Sequence, residues 1–260
     1  MACFIAQPPS LPARNRHLLS LRATNRRRYT PQCAVRKLLV VDLQELLRTS
    51  PVEQLRHFSE RVEVERKSTP DGTYVVFSSR SGYEPSMQSI KDADLAEPDA
   101  LAALDGSELY QRRYRTPDPY WAKTVRKDWE PKPIKWIVST FFGDHAHVVE
   151  SNEEYELIFR CKDETQRSEL CGDIGRKLEE MGITARATVA TDGRHIVIAP
   201  AAAGAAEVIA FCQKMLGIEE TNTFVFGSEE LVESCVRGKG NIGICTRDMV
   251  LFGDKIHSVS

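Results

Sequence analysis

The residues best suited to chemistry lie where the first long apolar run of the chain ends. Asp42 follows the apolar residues 38–41, and Gln44 stands two positions later. A carboxylate at the end of a buried strand can attack phosphorus, and a second carboxylate two residues on can protonate the leaving group. Because an amide has no proton to give, the pattern predicts a nucleophile position that lacks its general acid.

Apolar runs that end in polar loops predict the strands that position these residues. They span residues 37–42, 73–79 and 223–227, and a further short strand is predicted at 242–245. Near-continuous apolar runs of this length are typical of parallel strands that are buried on both faces. Predicted helices lie at 43–61, 86–91, 205–216 and 229–236. This alternation predicts an α/β fold whose site lies at the carboxyl ends of the strands.

A second module is predicted between the second and third of these strands. Residues 155–161, 185–190 and 195–199 predict strands, and residues 164–181 carry apolar side chains at helical spacing. The turn at 191–194 favours a hairpin between the last two strands. This βαββ module, approximately residues 135–200, is predicted to be inserted into the first domain.

Two further segments carry side chains that could bind a ligand. Residues 111–136 place aromatic side chains among many Arg, Lys and Pro residues, which predicts a linker with aromatic anchors, although such residues can also bind bases or sugars. His145 and His147 lie next to Asp144 and could bind a metal. No third ligand follows at a diagnostic spacing, so a solvated loop is favoured.

Taken in order along the chain, these motifs resemble the haloacid dehalogenase superfamily, specifically the sucrose-phosphate phosphatases. Asp42-Leu43-Gln44 stands where that family has Asp-Leu-Asp, and residues 76–81 are close to its Val-Phe-Ser-Thr-Gly-Arg-Ser segment. Residues 98–99, 106–110 and 176–183 follow in the family's order. The resemblance implies a Rossmann-like core with a parallel sheet, formed by residues 37–114 and 201–260. Residues 115–200 would be a linker plus an inserted α/β cap.

The resemblance also implies a role for each residue of the site. Asp42 would be the nucleophile and a Mg²⁺ ligand, Ser78 would bind the phosphate, and Gln44 replaces the acid/base. Mg²⁺ would be needed only if the chain is catalytic, because it offsets the repulsion between carboxylate and phosphate.

Three family positions in the second half of the site hold residues without the expected charge. Ala205 stands where the family has a phosphate-binding Lys. Ser228 and Val232 stand where it has metal-binding Asp residues, and Glu229 is a substitute ligand that equally suits the first turn of a helix. Together with Gln44, these changes imply a phosphatase-like fold without the family's mechanism.

The charge of the chain is unevenly distributed. Residues 1–36 hold seven of the 35 basic residues and none of the 37 acidic ones, so the remainder is acidic. An acidic body argues against nucleic-acid binding. The basic, Pro-containing leader predicts a chloroplast transit peptide, with a disordered tail that binds an acidic partner as the alternative. No apolar run approaches the ~18–20 residues of a transmembrane segment.

Three functions remain open on the sequence alone. The first is a catalytically inactive plastid protein that binds a sugar phosphate or a protein partner. The second is a divergent Mg²⁺-dependent sugar-phosphate phosphatase that uses Asp42 as its nucleophile. The third is a structural subunit of a plastid assembly, with residues 111–136 as a contact surface.

Overall fold

The computed structural model describes residues 37–67, 72–149, 153–163, 165–190, 193–238 and 243–244. The leader of residues 1–36, for which a transit peptide is predicted, lies outside these described residues. None of the described helices is both long enough and apolar enough to cross a membrane.

The described residues form ten strands, eight α-helices and two short 3₁₀ turns. The strands are β1 (Lys37–Asp42), β2 (Thr73–Ser78), β3 (Ala100–Ala103), β4 (Glu108–Gln111), β5 (Ala146–Val148), β6 (Leu157–Cys161), β7 (Ala185–Val189), β8 (His195–Pro200), β9 (Thr223–Phe226) and β10 (Gly243–Ile244). The helices are α1 (Leu43–Thr49), α2 (Val52–Lys67), α3 (Tyr83–Asp92), α4 (Pro119–Val125), α5 (Pro131–Phe142), α6 (Arg167–Glu180), α7 (Ala205–Leu216) and α8 (Glu229–Gly238). The 3₁₀ turns are Leu104–Gly106 and Glu220–Asn222.

Six strands form the larger sheet, in the order β10-β9-β1-β2-β3-β4. All neighbouring strands in it are parallel except β3 and β4, which are antiparallel. Apolar side chains are buried on both faces of β1 and β2: Val41 and Phe77 point to one cluster, and Val40 and Val76 to the other. The predicted α/β architecture with a mostly parallel sheet is therefore confirmed.

The smaller sheet is antiparallel, in the order β5-β6-β8-β7. Helices α5 and α6 cover one of its faces and enclose a separate apolar cluster with the inward residues of β6 and β8. The predicted βαββ module is thus present and gains a fourth strand, β5. The expected solvated loop at His145–His147 is wrong, because Ala146 is buried and pairs with Cys161 in the sheet.

Two further segments differ from their predictions. The helix predicted at 43–61 is two helices, because Pro51 lacks an N–H group and disfavours helical geometry at Ser50 before it. The predicted linker of residues 111–136 contains α4 and the beginning of α5. Two of its aromatic residues are anchors: Trp121 is buried and its Nε1 donates to the Gly106 carbonyl at 3.0 Å, and Trp129 packs against the cap cluster and its Nε1 donates to the Glu153 carbonyl at 2.9 Å. The domain boundaries given above stay predictions.

Candidate active site

Asp42 and Ser78 lie next to each other at the carboxyl edge of the larger sheet. They are the last residues of β1 and β2 and stand opposite each other in the parallel register. Neighbouring strands run about 4.8 Å apart, so the two side chains leave the sheet side by side. Both are buried, with 9% of Asp42 and 7% of Ser78 exposed. The structure therefore brings the predicted nucleophile and the predicted phosphate ligand together.

The carboxylate of Asp42 also caps the helix that follows it. Asp42 is the N-cap residue of α1, and its Oδ1 accepts a hydrogen bond from the Glu45 backbone N–H at 3.0 Å. Such a cap satisfies one of the N–H groups that a helix leaves unpaired at its first turn. One oxygen of Asp42 therefore has a structural role that is independent of any reaction.

Gln44 is held by two linked hydroxyl groups, one in the loop after β2 and one on α3. Its Nε2 donates to Ser79 Oγ at 2.8 Å, and Ser79 Oγ lies 2.7 Å from Ser86 Oγ. Ser79 Oγ also accepts from the Ser81 backbone N–H at 3.1 Å. Gln44 Oε1 is buried, and no described residue forms a hydrogen bond with it. Gln44, the predicted replacement of the acid/base residue, is thus part of a polar network with the loop after β2, which sequence motifs alone did not indicate.

Gly227 connects β9 to the site and fits tightly against Asp42. A Cβ atom on Gly227 would lie 2.8 Å from Asp42 Cβ and 2.5 Å from Leu231 Cδ2, so a side chain there would clash. Ser228 follows, and its Oγ accepts from the Leu231 backbone N–H at 3.4 Å. Ser228 therefore directly precedes α8, and Glu229, the first residue of that helix, is exposed.

Ala205 is the first residue of α7, and the glycine before it makes a close backbone contact. A Cβ on Gly106 would lie 2.7 Å from the carbonyl carbon and oxygen of Gly204, and Gly106 has a φ of +84°. Glycine is therefore required at Gly106 both by space and by backbone conformation. The backbone here is closely packed, but the methyl group of Ala205 cannot pair with an anion.

Comparison with known protein families shows which family the chain belongs to. The profile of the sucrose-6F-phosphate phosphohydrolase family matches residues 35–249. The chain belongs to this family. No curated protein matches the chain significantly.

Solved structures of haloacid dehalogenase-type phosphatases share the fold of this phosphohydrolase family member. The sucrose-phosphatase of Synechocystis sp. PCC6803, in complex with sucrose and phosphate, is 18% identical with a TM-score of 0.63, covering 86% of this chain and 91% of that one. A haloacid dehalogenase-like hydrolase of Bacillus subtilis is 14% identical with a TM-score of 0.63, covering 82% of each chain. The trehalose-6-phosphate phosphatase of Aspergillus fumigatus is 12% identical with a TM-score of 0.55, covering 80% and 81%. The predicted Rossmann-like core with a cap is confirmed.

A magnesium ion does not fit the residues at the positions where the resemblance implies its ligands, because Ser228 and Val232 leave Asp42 without a second carboxylate there. Mg²⁺ requires oxygen ligands in near-octahedral geometry, usually including one or two carboxylates together with substrate phosphates and water. Within the part of the chain that the structure describes, no group of three or more His, Cys, Asp or Glu side chains is arranged to hold a metal. Ser228 offers a hydroxyl that already accepts a helix N–H, so no step is assigned to Mg²⁺.

Acidic groups of the phosphohydrolase core and cap meet beside the site. Glu108 on β4 is buried, and its Oε2 accepts from the Tyr110 hydroxyl at 2.7 Å. Burial, followed by this bond to Glu108, raises the pKa of Tyr110 above its usual range. Burial also raises the pKa of Glu156, and the nearby charges of Asp105 and Glu108 add to that effect. Three carboxylates, those of Asp105, Glu108 and Glu156, therefore lie close enough to affect one another.

Proposed function

We propose that this chain is a sucrose-phosphatase-like protein that binds a sugar phosphate or a protein partner without hydrolysing a phosphate ester. The observation that carries this proposal is the position of Gln44, whose amide occupies the acid/base place and donates to Ser79. An amide cannot protonate the leaving oxygen or activate water, and the loss of such general acid–base help costs roughly 10²- to 10⁴-fold in rate.

The electrostatics of the site support the same proposal. Attack on a phosphate dianion by Asp42 requires positive charge nearby, since like unit charges 4 Å apart repel by about 4 kcal/mol at an effective dielectric constant of 20. Ala205 supplies a methyl group and Ser228 a hydroxyl at the two places where the family resemblance implies a Lys and a metal-binding Asp. Asp42 would therefore face the substrate with its charge largely uncompensated.

A divergent Mg²⁺-dependent sugar-phosphate phosphatase is the second candidate, and one observation favours it. Asp42 and Ser78 remain opposite each other and buried, as a nucleophile and its phosphate ligand require. Glu229 is the substitute metal ligand in this case, and its exposed position would allow the side chain to turn toward the edge of the sheet.

Phosphate release from sucrose 6-phosphate separates the two candidates. The full chain and its Asp42→Asn variant would be assayed with and without Mg²⁺, and calorimetry would record binding in the same samples. We expect binding without release above the Asp42→Asn background. Mg²⁺-dependent release that disappears in Asp42→Asn would refute the proposal and establish the second candidate.

The proposal places the protein in the plastid, on the basis of the leader of residues 1–36. A fusion of these residues to a fluorescent protein should enter chloroplasts, and a fusion in which the seven Arg residues are replaced by Gln should remain outside. Equal distribution of both fusions in the cytosol would contradict a plastid address.

A protein partner is supported by the exposed aromatic residues of 111–136. Tyr120 is 70% exposed and Trp136 is 58% exposed, although both are large apolar side chains. If they form a contact surface of a plastid assembly, the full chain should co-migrate with a large complex, and Tyr120→Ser with Trp136→Ser should release it. Migration of the wild-type chain as a free monomer in plastid extracts would argue against an assembly.

A further inference from the structure

The cap sheet has one face covered by helices and one face without them. Ile196 and Ile198 of β8 belong to the apolar cluster under α5 and α6, as do Leu157 and Phe159 of β6. Successive residues of a strand point to opposite faces. The residues between them, including Arg160 on β6, therefore lie on the face away from α5 and α6.

Three nitrogen-bearing side chains form a row across this uncovered face. His147 of β5 stands opposite Arg160, and Arg160 stands opposite His195 of β8. Residues directly opposite in antiparallel strands have Cβ atoms about 4.5–5.5 Å apart, and like charges at such positions are destabilising. His147 and Arg160 are exposed, and Arg160 forms no ion pair with any described residue. Ion pairing with the described residues therefore does not account for Arg160 at this position.

The uncovered face is turned toward the core at its near end. Arg186 of β7 lies between Ala185 and Ala187, which face the helices, so its side chain is on the uncovered face. Its Nη1 is close to Gly204 of the core, at 2.7 Å from where a Cβ on that glycine would be. Glu156, just before β6, interacts electrostatically with Asp105 and Glu108 of the core. The row at Arg160 lies four residues further along the chain, which is about 13 Å in a strand.

The two ends of this face differ in how their cations are balanced. The Glu207 carboxylate also lies next to Gly204, so an acid stands near Arg186 at this end of the face. Arg160 has histidines on both sides instead. At the core edge, Asp42 carries a negative charge. Position 205 holds Ala and not the Lys that the resemblance implies, and no cluster of three or more metal-ligand side chains is found among the described residues.

We infer that the cap binds the phosphate group of a phosphate monoester, or free phosphate, through Arg160 with His147 and His195 on either side. A guanidinium group can donate two parallel hydrogen bonds to phosphate oxygens, and an imidazole donates an N–H in either protonation state. A sugar phosphate would then enter with its phosphate toward the cap and away from Asp42. This inference rests on the proposed function, because it specifies how the ligand is held without being hydrolysed.

Calorimetric titration of the full chain with inorganic phosphate, sucrose 6-phosphate and sucrose tests the inference. We expect inorganic phosphate to bind and to compete with sucrose 6-phosphate, and sucrose to bind more weakly than its phosphate. Arg160→Ala should weaken the binding of both phosphates roughly 10- to 100-fold, since hydrogen bonds to charged groups contribute about 1.5–3 kcal/mol. Arg160→Lys should retain part of the affinity, because it keeps the charge and loses the paired donors.

Two control variants make the result specific to the row. Arg186→Ala removes a cation from the same face where Glu207 accompanies it, and Arg176→Ala removes an exposed cation from α6 on the covered side. Both should leave phosphate affinity within about 2-fold. Circular dichroism would verify that each variant remains folded.

The outcomes separate this inference from the proposed function. If phosphate binds but Arg160→Ala has no effect while Ser78→Ala or Arg186→Ala abolishes binding, the phosphate lies at the core and the inference is wrong, although the proposed function stands. No binding of inorganic phosphate by the wild-type chain also overturns the inference. Mg²⁺-dependent release of phosphate from sucrose 6-phosphate would refute the proposed function itself.

Discussion

The two sides of the carboxyl edge of the core sheet present different kinds of side chain. On the β1–β2 side, Asp42 and Ser78 stand opposite each other and are buried. On the α7–α8 side, Ala205 begins α7 and Ser228 precedes α8, and neither carries the charge that the family resemblance implies. Buried apolar side chains of the strands and close glycine contacts hold the backbone on both sides. The geometry of the edge therefore does not require the Lys and Asp side chains that the resemblance implies at positions 205 and 228.

Introducing the charged side chains that the resemblance implies should have the largest effect on activity and would remove the difference between the two sides. The triple variant Gln44→Asp, Ala205→Lys and Ser228→Asp should release phosphate from sucrose 6-phosphate at least about 100-fold faster than the wild-type chain, because it regains the acid, the cation and a metal ligand. Colorimetric phosphate assays with Mg²⁺ would measure this gain. Adding Asp42→Asn should abolish it. A triple variant no faster than wild type would show that more than these charges is missing.

The close contact of Gly227 with Asp42, which joins the two sides, should give the next largest effect, on the stability of the fold. Gly227→Ala should destabilise the fold by about 1–3 kcal/mol, since its Cβ would lie 2.8 Å from Asp42 Cβ and 2.5 Å from Leu231 Cδ2. Urea denaturation would measure the loss. Gly175→Ala is a matched control: nothing lies within 4 Å of that position in α6, so the change should stabilise the helix by up to about 1 kcal/mol. Equal effects of the two changes would mean that a side chain at position 227 does not clash with Asp42 and Leu231.

The capping role of Asp42 should appear as a smaller change in stability. Asp42→Ala should lower the free energy of unfolding by about 1 kcal/mol, because Asp42 Oδ1 accepts from the Glu45 N–H at 3.0 Å. Asp42→Asn should lose less, since an asparagine side chain also caps helices well. Chemical denaturation of the three proteins would rank them. If Asp42→Ala is as stable as wild type, the N-cap hydrogen bond of α1 contributes nothing to the stability of the protein.

The acidic groups where core and cap meet should give the smallest effect, visible in its pH dependence. Burial raises the pKa of Glu156, so the folded protein binds a proton there more readily than the unfolded chain. Stability should therefore fall as pH rises through the titration of Glu156. Glu156→Gln should be more stable than wild type at neutral pH, and its advantage should shrink as pH falls toward 4.5, the usual pKa. Thermal unfolding across pH would show this, with the exposed Glu179→Gln unchanged.

The sequence predicted those elements whose side chains alone specify them. The apolar runs of β1 and β2 and the helical spacing of α7 were clear, and α7 spans the predicted residues 205–216. Strand β3 was missed because its sequence is Ala-Leu-Ala-Ala, and alanine has little preference for strands. Strand β5 was missed because it has three residues and is held by its pairing with β6.

The candidate site was predictable in position but not in its hydrogen bonding. Motif order placed Asp42 and Ser78 together, because the ends of parallel strands meet at one edge. The bond from Gln44 to Ser79 joins residues 35 positions apart and depends on the packing of α1 against β2. Likewise, the row of His147, Arg160 and His195 follows from strand register, which the local pattern did not indicate.

Beryllium fluoride binding tests most directly whether Asp42 can still carry a phosphoryl group. Beryllium trifluoride forms a phosphoryl-like adduct on an aspartate when a cation compensates its charge. ¹⁹F NMR of the full chain with beryllium, fluoride and Mg²⁺ should show only the free species, because Ala205 and Ser228 stand where the resemblance implies a Lys and a metal-binding Asp. A protein-bound signal that requires Mg²⁺ and disappears in Asp42→Asn would contradict the absence of the family's phosphatase mechanism.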